Sequence, residues 1–383
     1  MKIALICDSF KESLSSLEVS REVERGFRTI FPAAEYVSFP IADGGEGTIQ
    51  ALVEATQGRL VKQKVSGVLG QPVTASFGVT GDNKTAVIDM AETAGLGTLP
   101  PQKRNPLCTT TYGVGELVRA ALDHGYRHIV LGLGGSATND GGAGFAQALG
   151  VKFYQRDGRM LPVGGAALAD LDHIDMSGLD ERLKETQLDC ACDVTNPLLG
   201  PSGASHVFGP QKGASASDIE RLEAGLRHYA QLIERDTGRQ IAERSGAGAA
   251  GGFGAGLMSF TDAHFQPGID LIAKQMKLDD VFKTVDLVIT GEGSLDRQTA
   301  SGKVPVGIAR LAKAHGKPVI ALAGGVKVGA EAVYDEGIDA FFPAVQRPCS
   351  LEEALKEARE NVRRSAENIA RTVRVGQALA ASC

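Results

Sequence analysis

Short apolar runs alternate along this chain with segments whose apolar residues recur every three or four positions. Runs at 3–7, 36–42, 87–88, 129–131, 287–290 and 319–323 read as strands. Helical spacing follows most of them, as in Val19, Val23 and Phe27, or Leu117 and Ala121 after Thr111. Strands alternating with helices predict a parallel or mostly parallel α/β sheet. Each run gives way to glycine, acidic or hydroxyl residues. In parallel sheets ligands gather at the carboxyl ends of strands. The pattern therefore puts the candidate chemistry at those ends.

The middle of the chain differs. Residues 65–79, with Gly67 and Gly70-Gln71-Pro72 inside, read as a hairpin. Residues 151–161, broken by Asp157-Gly158, read as a second one by the Asp-Gly turn signal. The glycine- and alanine-rich stretch 246–256 argues against a regular helix. A long helix is predicted from Ser350, which can cap it, with Glu353 at the capping-box position. These features predict an α/β protein of two domains. Residues 1–65 and 285–383 would form a Rossmann-like domain with a mostly parallel sheet. Residues 66–284 would form an inserted mixed α/β domain. The strand at 129–131 fits either sheet. No internal repeat or long disordered linker is evident.

Composition narrows the function classes. Of 383 residues 48 are glycine, well above the usual share of roughly 7%. Tight turns or ligand loops would need them. A net charge of −6, 5% aromatics and no tryptophan argue against a phosphate-backbone surface or a base-stacking platform. The first apolar run is too short for a signal peptide, and none reaches membrane-spanning length. A cytoplasmic protein with no nucleic-acid or membrane partner is the expectation. Of the six cysteines, Cys190 and Cys192 form C-x-C without a second pair, so no metal or disulfide framework is predicted. Cys192 reads as a buried free thiol.

The richest stretch is Gly132-Leu133-Gly134-Gly135-Ser136-Ala137-Thr138-Asn139-Asp140-Gly141-Gly142. It follows a strand and precedes a helix, a layout that aims backbone N–H groups at an anion. Gly134 and Gly135 allow close approach, and Ser136, Thr138, Asn139 and Asp140 add polar groups. Gly132-x-Gly134-x-x-Ala137 also fits a loose dinucleotide pattern. The acid about twenty residues on, Asp157, falls in a predicted hairpin turn.

Phosphoryl transfer needs donors around phosphates, carboxylates for a divalent cation, a cation near the transferred group and a positioned acceptor hydroxyl. Lys11, just past the first strand, suits the cation, although a solvated helix lysine is equally plain. Asp43 and Glu46 flank Gly44-Gly45 and suit Mg²⁺. Glu46 also suits the N-terminus of the following helix. Asp193 and Asn196 end another strand, and Asn196 before Pro197 also favours a turn. Glu292 and Asp296 flank a further turn, with Gln298, Thr299 and Lys303 close by. The Walker A pattern, the protein-kinase set, Gly-x-Ser-x-Gly and HExxH are all absent.

Taken together, the blocks at 8–14, 42–48, 109–113, 134–142, 192–198, 207–213, 246–252 and 290–293, with Asp296, Gln298 and Thr299, closely resemble the bacterial glycerate kinases that make 2-phosphoglycerate. The resemblance implies ATP- and Mg²⁺-dependent phosphorylation of D-glycerate at its 2-hydroxyl. It implies two α/β domains with the active site in the cleft between them. Asp43, Glu46 and Asp193 would surround the metal and the acceptor hydroxyl, with Asp193 orienting or deprotonating it. Gly134, Gly135, Ser136, Thr138 and Asn139 would cradle phosphate, and Lys11 would offset negative charge. Ser9, Lys11, Asn196, Glu292, Asp296, Gln298 and Thr299 would face the substrate. Ser294 departs from many relatives of that family, which carry an arginine there; if that arginine helps bind phosphate, Arg297 would have to compensate. Phosphorylation at the 3-hydroxyl is an alternative, and a nicotinamide-dependent hydroxy-acid oxidoreductase a weaker one. The oligomeric state stays open.

Overall fold

Every apolar run read as a strand forms one. The computed structural model describes residues 1–10, 12–41 and 47–382. In chain order the strands are β1 (Lys2–Cys7), β2 (Glu35–Ser38), β3 (Arg59–Ser66), β4 (Pro72–Val79), β5 (Thr85–Asp89), β6 (His128–Gly132) and β7 (Lys152–Gln155). Then come β8 (Leu171–Asp175), β9 (Gln187–Ala191), β10 (His264–Gln266), β11 (Leu287–Leu295), β12 (Val319–Val326) and β13 (Ala340–Pro343). The chain divides into two compact units, Met1–Asp43 with Ile269–Cys383, and Gly44–Gly268.

The first unit holds a sheet of order β13-β12-β11-β1-β2, and every pairing in it is parallel. The unbroken apolar run of β1 fits this position, since Ile3 to Cys7 are wholly buried and a parallel sheet is covered on both faces. The helix Ser16–Arg28 starts at a Ser15/Glu18 capping box and buries Val19, Val23 and Phe27. Against it runs Ala358–Ala381, which buries Val362, Ala366 and Ile369. Gly26 permits the approach: a Cβ there would lie 2.4 Å from the Arg363 carbonyl oxygen.

Gly291 plays the same part inside the sheet. A Cβ on it would stand 2.1 Å from the Leu322 carbonyl oxygen of β12, whereas one on Gly325 would meet nothing within 4 Å. Overpacking of this kind costs about 1–3 kcal/mol. Gly291→Ala should lower the urea midpoint accordingly, and Gly325→Ala should change stability by no more than about 0.5 kcal/mol. Equal effects of the two substitutions would refute the steric account.

The second unit carries a six-stranded sheet of order β10-β9-β6-β5-β4-β3. From β10 to β5 it is parallel, and β5-β4-β3 is antiparallel. The helix Tyr112–Asp123 buries Val114, Leu117, Val118 and Ala121. These pack with Phe77, Ile88, Ile129, Leu131, Phe145 and Phe253. The mostly parallel sheet and the mixed sheet are both as the pattern predicts.

Several boundaries differ from the sequence reading. The units part near residue 43, not 65, because 59–66 is the first arm of the hairpin with 72–79. The later part of the second unit ends at Gly268, not 284. Residues 151–161 do turn at Asp157-Gly158, yet beyond the isolated Tyr154–Met160 bridge the ladder partner of β7 is β8. The stretch 246–256 enters a helix, Ala249–Phe260, whose first turn contains left-handed backbone at 250–252. Packing dictates this helix: a Cβ on Gly254 would lie 2.0 Å from the Gly246 carbonyl oxygen, and one on Gly256 2.6 Å from that of Gly141. The C-terminal helix is two, Leu351–Lys356 and Ala358–Ala381. Its first turn keeps the predicted Ser350/Glu353 capping box, while Leu351 is exposed.

Candidate functional site

The carboxyl ends of β5, β6 and β9 lie side by side, with Asp89, Gly132 and Ala191 in register. The glycine-rich turn leaves the middle strand there, and Asp193 follows two residues past the end of β9. Gly135 is exposed and Gly134 half-buried, so the turn shows its backbone to solvent at the apex. Ser136 retains 7% exposure, but Thr138, Asn139 and Asp140 have none. The turn is held from below by several contacts. Ala137 N–H donates to the Ala94 carbonyl at 2.8 Å, and Thr109 Oγ1 donates to that of Ala137 at 2.9 Å. Asn139 Nδ2 donates to Ser205 Oγ at 3.1 Å. Thr138 Oγ1 and Asn139 Oδ1 are buried with no hydrogen-bond partner among the described residues.

Asp140 ties this turn to the segment before the helix Tyr112–Asp123. Its Oδ2 accepts from Thr111 N–H at 2.8 Å, Thr111 Oγ1 at 2.9 Å and Thr110 Oγ1 at 3.3 Å, and its Oδ1 accepts from Gly142 N–H at 3.2 Å. Burial pushes the carboxyl up from its ordinary range, and these donors oppose that. Close to it lies Lys212, 1% exposed. Lys212 Nζ donates to Ser136 Oγ at 2.8 Å and to the Thr138 carbonyl at 2.7 Å. Burial brings the ammonium down to about 7, with the charge of Asp140 pulling the other way. Lys212 escaped the residue-by-residue reading. Its sequence signals are its place in the 207–213 block and its setting between Gly209-Pro210 and Gly213, and neither gives it a role.

Asp193 is exposed. Its Oδ1 accepts from Gly268 N–H at 2.8 Å, which joins the loop after β9 to the loop after β10. Asn196 spends its side-chain amide on the Ser202 carbonyl at 2.7 Å, and its own carbonyl accepts from Gly248 N–H. That is the turn alternative for Asn196.

In the first unit the corresponding strand ends align Cys7 with Gly291 and Gly291 with Leu322. Asp8 N–H donates to the Gly291 carbonyl, and Ser9 N–H to Asp8 Oδ1 at 2.6 Å. Next door, Glu292 Oε1 accepts from Thr299 Oγ1 at 2.5 Å, and Thr299 Oγ1 accepts from Asp296 N–H. Lys303 Nζ stands 3.7 Å from Glu292 and 3.8 Å from Asp296, and Lys327 Nζ 3.5 Å from Asp296. Burial pushes the Asp296 carboxyl up, but Lys303, the Gln298 N–H and Lys327 outweigh it and leave it below its usual range. Gln298 is exposed and joins through its backbone N–H, which donates to Asp296 Oδ1. Arg297 is exposed beside Gly329. The geometry thus gathers Glu292, Asp296 and Thr299 with two lysines, of which Lys327 had no motif to mark it.

A model of the glycerate kinase family matches residues 3–374. The chain belongs to the glycerate kinase family. It is 48% identical over 373 residues to a glycerate kinase of Haemophilus influenzae, covering 97% of this chain and 99% of that protein. It is 49% identical over 376 residues to the glycerate 2-kinase of Escherichia coli, covering 98% and 99%. A crystal structure from Salmonella typhimurium, named for glycerate kinase 2, matches with a TM-score of 0.89 at 50% identity over 98% of this chain and 99% of that one.

Membership in the glycerate kinase family makes the chain a phosphotransferase that uses ATP. The dinucleotide reading loses its acidic partner: Asp157 sits in an exposed turn, accepting from Arg159 N and Nε. Lys11, Asp43 and Glu46 lie outside the described residues. Among the described residues no group of three His, Cys, Asp or Glu is placed to hold a metal, and no helix is long and apolar enough to cross a membrane. Cys192 is a free thiol, half-buried.

Proposed function

We propose that the protein transfers the γ-phosphoryl group of ATP to the 2-hydroxyl of D-glycerate, giving 2-phospho-D-glycerate and ADP, in the cytoplasm. The near-full-length match to glycerate kinases, a glycerate 2-kinase among them, carries this reading. In it the apex of the glycine-rich turn, Gly134 to Ser136, receives ATP phosphate, with Thr138 and Asn139 shaping the turn from beneath. The carboxylate of Asp193 orients the 2-hydroxyl and takes its proton as the oxygen attacks phosphorus and the bond to ADP breaks. Positioning and electrostatics carry most of such a reaction. Lys11 offsets the negative charge, and Ser9, Glu292, Asp296 and Thr299 line the substrate side.

Mg²⁺ usually takes one or two carboxylates and fills its octahedron with water and phosphate oxygens. The donor chemistry of Asp43, Glu46 and Asp193 fits that ion, since all three are hard oxygen ligands. Bound there, it would neutralise charge on the phosphates.

The deciding assay supplies ATP, Mg²⁺ and D-glycerate and follows product through enolase without phosphoglycerate mutase. Signal is expected directly. Signal only after mutase is added would place the phosphate on the 3-hydroxyl. No ADP release from folded protein would overturn glycerate as substrate.

A further inference from the structure

A lysine buried to 1% exposure, with no carboxylate in contact among the described residues, is an expensive arrangement. Its two partners are both on the glycine-rich turn, and one of them, Ser136, is the only side chain of the buried polar group there with measurable surface beyond 1%. An ammonium has donors and no acceptor, whereas a hydroxyl has one hydrogen and two lone pairs. While Lys212 is protonated, Ser136 Oγ must accept from it. The Ser136 hydrogen is then available only for another acceptor.

We propose that Lys212 is a positioning residue: anchored on the Thr138 carbonyl, its ammonium turns the Ser136 hydroxyl into a committed donor toward an anionic phosphate of the nucleotide. This rests on the reading of the glycine-rich turn as the phosphate site. A neutral amine at Lys212 has a lone pair and can accept, so Ser136 can point its hydrogen inward and present lone pairs to the anion. Among the described residues, Asp140 on the turn acts on Lys212 and also on Tyr229, which lies on the helix packed against Gly141, and the Arg104 backbone lies against Gly213. Burial, then Asp140, holds the Tyr229 hydroxyl protonated. Asp140 favours the ammonium, but burial outweighs it and sets the crossover at about 7. The lysine therefore loses its proton as pH rises through that value, and nucleotide recognition weakens in the same direction.

The test measures KM for ATP and kcat from pH 6 to 9 in wild type, Ser136→Ala, Lys212→Met and the double variant. Losing a hydrogen bond to a charged group should raise KM for ATP about tenfold in either single variant. Because Lys212 acts through Ser136, Lys212→Met should add no more than about twofold in the Ser136→Ala background. Wild type should show KM rising above pH 7, and Ser136→Ala should flatten that rise. Multiplicative effects in the double variant, or a pH rise that persists in Ser136→Ala, would overturn the proposal. If Lys212→Met fails to fold, the Ser136→Ala profile decides alone, since that change removes only one near-surface oxygen. A wild type that uses no ATP at any pH would overturn the functional reading, and this proposal with it.

Discussion

Asp193→Asn should lower kcat by at least about 10², the low end for losing acid–base assistance. The substitution removes charge and basicity with little change of shape. Its remaining oxygen can still accept from Gly268 N–H, now bonded at 2.8 Å to Oδ1. Stability should therefore stay within about 1 kcal/mol of wild type, the net worth of one hydrogen bond. Asp193→Ala removes both functions and should lose activity and also loosen the junction between the loops after β9 and β10. Steady-state kinetics beside thermal melts separate the two effects. A near-wild-type kcat for Asp193→Asn would take this residue out of the base role.

Asp140→Ala should give the largest loss of stability, about 3–5 kcal/mol, as expected when one partner of a buried charged cluster is removed. The donors that lose their acceptor include the Thr111 and Gly142 backbone N–H groups and the Thr110 and Thr111 hydroxyls. Each buried donor left unpaired costs about 1–3 kcal/mol. Lys212 also loses the carboxylate charge that favours its ammonium. For a unit of this size the melting temperature should fall by roughly 10 °C, at about 2–4 °C per kcal/mol. Calorimetry reads the result, and a loss under about 1 kcal/mol would show that water or a rearranged turn replaces Asp140.

Under the proposed mechanism, stability and catalysis would divide between aspartates that follow two adjacent strands. Asp140 is wholly buried and serves the turn. Asp193 is exposed and can meet a substrate. Both are aspartates shortly past a strand end, and nothing in their immediate sequence tells them apart. Burial depends on what packs above each loop.

What the sequence determined by itself were the features set by local pattern. Unbroken apolar runs such as 3–7 and 129–131 commit to strands buried on both faces. Val19, Val23 and Phe27 commit to a buried helix face, and the glycine-rich run after β6 to a turn between strand and helix. The ordered blocks along the chain were enough to mark the glycerate kinase resemblance.

Only the tertiary structure decided how distant segments meet. It paired 59–66 with 72–79 and moved the unit boundary, because the charged and polar positions in that strand hide its pairing. It made a helix of a glycine-rich stretch, because the missing side chains let backbones approach. It brought Lys212 under Ser136, 76 residues away in sequence, and Lys327 to Asp296. A lone lysine carries no periodicity, so its role is written only in the contacts that burial creates.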